Sequence, residues 1–385
     1  MGTLENQIKT IAKENGAVLV GIASKQRLKD APPSGNPEYL LPSARSVISL
    51  AVSIKQKTIR DFLGKKEWLS HGDERQKLVQ TIYCIGDKLT AFLQENGFES
   101  VAVEVNNSYR PEGGVRDITE MTEFFPDFAH RYGAVAAGIG RLGWSGNVLN
   151  PEYGALLELG TVITSAELEP DPLLTENPCD KCKMCTQVCP VDMISKREAK
   201  QVNIAGITEE IALKRPTTCC WIGCTGYQGL STNNKWSSWS PYRLDSSLPV
   251  EKKELDELNV RLQKADPLLR LEESSLTDDR KAAFNPDWRF ATVCGNCRLV
   301  CWKKRPDREE NMRLLINSGV VALSPNGEHI VANEEIIEIE TPYIVKVAVL
   351  KKDYEAARND SPRIGKGFTP MDNEVLRHVF KLSKR

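Results

Sequence analysis

Residues 4–15 carry apolar side chains at helical spacing and read as an amphipathic helix. The run AVLVGIAS that follows is short and apolar, is closed by polar residues and the helix-breaking APPSGNP, and predicts a strand. SVISLAVSI predicts a second strand. Helical periodicity returns over residues 72–97, with Gly97 placed as a carboxy-terminal cap, and VAVEV predicts a further strand. This alternation continues to about residue 170 and indicates an α/β or α+β domain with its own core.

EPDPLLTENP leads from that domain into a cysteine-rich region. Within the region, residues of about 226–290 form a long insertion rich in Ser, Trp and charge, including STNNKWSSWSPYRLDSS and the helical-looking EKKELDELNVRLQKA. Such an insertion either caps or serves the site, or is a surface excursion. After residue 320, NGEHIVANEEIIEIETPYIVKVAVLKK predicts strands about a turn at Asn326-Gly327, followed by a short helical tail. The expected domains are therefore 1–170, 171–316 and 317–385.

Composition narrows the class. At 385 residues the chain exceeds the usual single core, and 41% apolar with 27% charged residues is ordinary for a soluble globular protein. With 51 basic against 52 acidic side chains, bulk charge points neither to nucleic acid nor to an anionic membrane. No run approaches the roughly 18 to 20 apolar residues of a membrane helix, and MGTLENQIKTIAKENGA has no signal-peptide core. A cytoplasmic protein without a membrane partner is expected.

Eleven cysteines in such a chain suggest metal chemistry, because reducing compartments keep thiols free. Cys84 stands alone within the periodic LVQTIYCIGDKLTAFL and is expected to be a buried small hydrophobe. The first group, Cys179, Cys182, Cys185 and Cys189, reads C-x2-C-x2-C-x3-C-P, the spacing in which three thiolates hold one cubane and the fourth faces a second. Zinc would more naturally take two separated pairs. The last group, Cys294, Cys297 and Cys301, is one cysteine short of the same run. Two 4Fe-4S clusters need eight thiolates, so one must come from TTCCWIGCTG. The crossed pattern assigns Cys179, Cys182, Cys185 and Cys301 to one cluster. It gives Cys189, Cys294, Cys297 and a middle cysteine to the other, with Cys220 favoured over Cys219 and Cys224.

LVGIAS, LLPSARSVISLAVS, LGWSGN and the crossed cysteines together resemble epoxyqueuosine reductases and reductive dehalogenases, over roughly residues 5–190 and 290–316. That resemblance implies an α+β fold in which a nitroreductase-like cobalamin-binding domain joins a ferredoxin-like module with two 4Fe-4S clusters. It implies that Gly143, Trp144, Gly146 and Asn147 approach the corrin, although the family has lysine where Asn147 stands. It also implies that Asp127, at the family's offset from Trp144, is the proton donor; a loop or N-cap role is the ordinary alternative for such an aspartate. His130 and Tyr132 are left as packing or hydrogen-bonding residues.

The expected function is a cobalamin-dependent reductase. An external low-potential donor such as a ferredoxin or flavodoxin would feed two clusters and a base-off corrin, and a small molecule or modified nucleoside would be reduced. Two alternatives stand beside it: epoxyqueuosine reductase acting on tRNA, and a two-cluster electron-transfer protein without cobalamin.

Overall fold

The computed structural model describes residues 2–104, 110, 126–244, 247–263, 294–324, 329–340 and 345–360. Its first helix, Leu4–Glu14, begins at Thr3, whose Oγ1 accepts from the Asn6 amide at 3.3 Å. Ile8 and Ala12 on one face of that helix are fully buried.

The helix covers a four-stranded antiparallel sheet in the order Leu19–Ser24, Ser46–Ser53, Leu157–Thr164, Ser100–Ala102. SVISLAVS shows no alternation because its strand is covered on both faces, with every residue from Ser46 to Val52 buried. Helices Leu4–Glu14 and Leu69–Glu95 pack one face through Ile8, Ile48, Leu50, Ile82, Leu89 and Val162. The other face receives helix His130–Ala136 together with Val202, Ile204 and Ile211 from far along the chain. Antiparallel pairing with helices on both faces makes the chain a mixed α+β protein.

Cys84 corrects one expectation. It lies in helix Leu69–Glu95 but is exposed. The buried stripe runs Ile82, Ile85, Leu89 and Leu93, and a position two residues past Ile82 is turned to the opposite side.

The largest element the sequence pattern hid is a hairpin, Ile194–Ile204 with Ile207–Lys214. Its turn, Ala205-Gly206, has positive φ at both residues (54° and 73°), the geometry of a tight hairpin turn. Residues 196–201 are all exposed, so no apolar alternation announces the strand. The tip is nonetheless fixed: Ala205 N donates to Arg27 O at 2.7 Å.

The insertion opens as core. Trp236 and Trp239 are buried with Phe62, Leu299, Val300 and Trp302, and Trp239 Nε1 donates to Phe62 O at 2.8 Å. Tyr242–Leu244 then pairs antiparallel with Val345–Leu350, joining the sheet formed by His329–Val331, Val321–Leu323, Val345–Leu350 and Ile336–Glu340. The helical-looking stretch is helix Lys252–Gln263, with Leu255 and Leu262 buried. The expected turn at Asn326-Gly327 lies outside the described residues, but its flanking strands pair as Val321↔Val331 and Leu323↔His329. Helix Lys351–Asp360 follows the sheet. Among the described residues no helix is long and apolar enough to cross a membrane.

Candidate functional site

The first cysteine run is shaped by its backbone. Lys181 and Lys183, between the cysteines, adopt left-handed φ of 54° and 59°, and the short helix Met184–Gln187 follows. Asn177 Oδ1 accepts from Cys179 N at 2.9 Å and Asp180 Oδ1 from Cys182 N at 3.1 Å, so side chains satisfy amides that the tight loop leaves open. Cys294 to Cys301 repeats the device, with Gly295 at φ 102° and helix Asn296–Leu299.

The two runs meet. Cys179, Cys182, Cys185 and Cys301 line one cavity, walled further by Gly143, Trp144, Leu149, Met184, Val300 and Arg308. This is the set of four that the crossed pattern assigned to one cluster. Cys301 is pinned there by Ala155 N, which donates to Cys301 O at 2.8 Å. Gly154 beside it has φ 55°, and a Cβ would stand 2.5 Å from Cys301 O, so only glycine fits. Arg308 clamps both runs: Nη1 to Asp180 Oδ1 at 2.9 Å, Nη2 to Pro178 O at 2.9 Å and Nε to Trp302 O at 2.7 Å.

The remaining thiols gather nearby. Cys189 lies within electrostatic reach of Cys294 and Cys297, and Cys220 within reach of the same two. Cys220 and Cys224, one turn apart on helix Thr217–Cys224, have sulfurs 3.7 Å apart, and Cys224 also contacts Cys294. Cys219 is fully buried in the core with Cys185, Ile222 and Tyr227. Among the described residues no three cysteine, histidine or carboxylate side chains converge on a point for one ion. A single zinc would draw four sulfurs to within roughly 4 Å of one another.

Burial and mutual repulsion set the thiol acidities. Burial, with the other cysteines adding, raises Cys185 well above the ordinary range. It pushes Cys189 and Cys301 up to about 12 and Cys297 up to about 11. Positive charge partly offsets this around the second group, where Lys214 and Arg131 both act on Cys220 and Cys297. Burial, seconded by Arg131, in turn brings Lys214 down to about 8.

LGWSGN runs between the two groups. Trp144 N donates to Cys179 Sγ at 3.3 Å, and the buried indole Nε1 donates to Ser195 O at 2.9 Å. Asn147 Nδ2 reaches Ser145 Oγ at 3.0 Å and Cys297 Sγ at 4.0 Å. The Asn147 amide thus faces a thiol. Arg131 Nη1 holds Gly146 O at 3.2 Å, and Glu209 on the hairpin binds Arg141 Nε at 2.6 Å and Leu142 N at 3.1 Å. Arg308, Gly154, Glu209 and Lys214 escape sequence reasoning because their roles need contacts between distant segments.

Asp127 precedes helix His130–Ala136 but does not cap it, since the N-cap is Ala129. Its backbone carbonyl accepts from Arg110 Nε at 3.1 Å and Nη2 at 2.8 Å. Its Oδ1 is buried without a hydrogen-bond partner among the described residues. An orphaned carboxylate oxygen is costly unless something else comes to meet it. His130 is a hydrogen-bonding residue, with Nδ1 2.8 Å from Thr161 Oγ1 and Nε2 3.1 Å from Glu104 O. Burial lowers its pKa to about 4.

No family model matches the chain. Curated relatives do. The epoxyqueuosine reductase of Staphylococcus aureus is 28% identical over 181 residues, 45% of this chain and 42% of that protein. That of Bacillus cereus is 26% identical over 155 residues, 40% of this chain and 37% of that protein. The chain thus spans about two fifths of the length of these relatives. A solved epoxyqueuosine reductase with an epoxyqueuosine-modified tRNA-Tyr stem loop covers 98% of this chain and 97% of its own, at 14% identity and a TM-score of 0.44. A reductive dehalogenase structure covers 74% and 37%, at 17% identity and a TM-score of 0.39. Scores at that level carry no argument here. Over its matched 40–45% the chain is a sequence relative of the epoxyqueuosine reductases, the same family that its own motifs resemble.

Proposed function

We propose that this chain is a cobalamin-dependent reductase, with a nitroreductase-like cobalamin-binding domain at residues 1–170, a two-cluster ferredoxin-like module at 171–316 and an extension at 317–385. One observation carries the reading: Cys301 enters the same cavity as Cys179, Cys182 and Cys185, from a segment more than a hundred residues downstream. Four thiols around one largely apolar hollow fit a 4Fe-4S cluster. Cys189, Cys220, Cys294 and Cys297 would hold the second.

When bound, the clusters supply single electrons and the corrin supplies the reductive chemistry at cobalt. The chain's residues do the rest. Trp144 N, through its bond to Cys179 Sγ, ties the LGWSGN loop to the first ligand set. Gly143, Trp144, Gly146 and Asn147 would border the corrin. Asp127 would hold the proton delivered to the reduced centre, and its unpartnered Oδ1 suits a site where the missing partner is the substrate.

Anaerobic reconstitution with iron, sulfide and cobalamin, read by metal analysis and electron paramagnetic resonance, tests the proposal. About eight irons and one cobalt per chain are expected. Eight irons without cobalt would leave a two-cluster electron carrier. The names of the curated relatives favour one substrate, epoxyqueuosine in tRNA, over others. Conversion of epoxyqueuosine-containing tRNA is its direct assay, and no conversion by a fully loaded chain would remove that substrate. An Asp127→Asn chain is expected to keep both cofactors and lose turnover by about 100-fold or more.

A further inference from the structure

APPSGNP does more than break a helix. Its prolines and Gly35 fold it into two short 3-10 turns, Pro33–Gly35 and Pro37–Tyr39. Asn36 between them is held twice: its amide donates to Pro33 O at 3.1 Å, and its Oδ1 accepts from Glu38 N at 3.0 Å. Gly35 packs so closely that a Cβ there would stand 2.5 Å from Ala31 Cβ. The turn is a stiff anchor on the chain's first domain.

Asp127 stands two residues ahead of the Ala129 N-cap, beyond the hydrogen bonds of helix His130–Ala136. Its neighbours lean on the core and on the turn: Phe128 is 2% exposed, and Ala129 N donates to Ser34 O at 2.8 Å. Arg110 joins Asp127 itself to the same turn. Its Nε and Nη2 both donate to Asp127 O, at 3.1 and 2.8 Å, and Nη2 also donates to Asn36 O at 3.1 Å. The guanidinium carbon lies 3.9 Å from the centre of the Tyr39 ring, and Arg110 is buried. A planar, permanently charged fork thus closes on one carbonyl while its flat face rests on an aromatic ring.

What the fork grips is the main chain of Asp127. A cation bonded to a carboxylate favours the ionised form and occupies an oxygen, whereas a cation bonded to the carbonyl leaves the carboxyl group to other partners. Asp127 Oδ1 is buried and has no hydrogen-bond partner among the described residues.

We propose that Arg110 is a positioning residue for Asp127: it ties the Asp127 peptide to the turn at residues 31–39 and so sets where the carboxyl group stands. This rests on the reading of Asp127 as proton donor. A reacting group misplaced by about 1 Å can cost roughly 100-fold in rate, so a slack peptide is felt at the chemical step.

The first test needs neither cofactor nor substrate. Hydrogen exchange on the full chain, read by mass spectrometry, is expected to show the segment around Ala129 exchanging about 10-fold faster in Arg110→Ala, with strand Ser46–Ser53 unchanged. Arg110→Lys, which keeps the charge and loses the fork, is expected to fall in between. The second test is turnover of epoxyqueuosine-containing tRNA by the chain loaded with iron, sulfide and cobalamin. Arg110→Ala is expected to lower kcat about 10- to 100-fold with KM and metal content unchanged, to regain part of it in millimolar guanidinium, and to add no loss in an Asp127→Asn background. Unchanged exchange around Ala129, or a loss in the double variant as large as in Arg110→Ala alone, overturns the proposal. If Ser46–Ser53 also exchanges faster in Arg110→Ala, Arg110→Lys decides by the same two readouts. Full turnover in Asp127→Asn removes the proton-donor reading and the positioning role with it. Lost turnover in Asp127→Asn beside full turnover in Arg110→Ala overturns the positioning role alone.

Discussion

His71 is a titratable group that folding makes almost unable to take a proton. It is 2% exposed, its ring lies 4.6 Å from that of Phe62, and Nδ1 has no hydrogen-bond partner among the described residues. Burial brings its pKa down to about 3, Arg298 and Arg75 push the same way, and Glu158 opposes them. The unfolded chain binds that proton near pH 6.5, so between 6.5 and 3 the unfolded state holds more protons than the folded one. The associated stability is complete above pH 6.5 and falls by about 1.4 kcal/mol per unit as the pH drops below it. Thermal melts at pH 7 and pH 5.5 are expected to show a smaller loss for His71→Phe than for the unaltered chain. Some slope persists, because His130 is depressed in the same sense.

Glu158 beside it is a second residue-scale case. Its carboxylate is 5% exposed, 2.6 Å from Arg298 and 3.1 Å from Arg75. Burial alone would raise its pKa, but the two guanidiniums outweigh burial and bring it to about 2. Glu158→Gln removes the negative charge that two part-buried guanidiniums share and is expected to cost about 1.5–3 kcal/mol, read from the denaturant midpoint. Residues of this kind were invisible in the sequence. The gathering of Cys179, Cys182 and Cys185 was legible because it follows from local spacing, whereas Glu158, Arg298 and Arg75 come from three separate segments. Cys84 shows the opposite failure, a correct helix with the wrong face.

Helices and strands of the first sheet were legible wherever a buried face imposed a period or a continuous apolar run, as in Leu4–Glu14 and Ser46–Ser53. The hairpin Ile194–Lys214 was not, because residues 196–201 of its first strand are all exposed and its second strand buries the charged Glu209 beside Ile211 and Ala212, so no clean apolar period marks either strand. Its energetic weight sits at the tip. Ile204→Ala removes a fully buried side chain and is expected to cost about 2–5 kcal/mol in urea unfolding. The turn around Gly154 belongs to the same scale. Gly154→Ala would drive a methyl into Cys301 O, so iron content is expected to fall by about half while the second cluster's resonance signal persists.

For the whole molecule, the buried thiols mean that loading the proposed clusters must expel protons. Cys185, Cys189, Cys297 and Cys301 all have raised pKa values and are protonated at neutral pH until iron arrives. Reconstitution in weak buffer is expected to release about one proton from each of these four thiols, measurable with an indicator dye, and to slow sharply as the pH is lowered. The mixed α+β class was legible from the sequence, but the way distant segments interlock was not. The insertion's Tyr242–Leu244 completes a sheet whose other strands begin some eighty residues later.

The hairpin tip ties two distant stretches of the chain to one another. Val202, Ile204 and Ile211 complete the first domain's core together with Ala23, Val47 and Ile163. The stretch that reads like a portable electron carrier is therefore also a plug in its neighbour's wall. Residues 171–316 expressed alone would expose that plug, and the first domain expressed alone would be left with a hole. Cutting the chain between the two stretches, or exchanging the second for another carrier, would therefore disturb both packing faces at once.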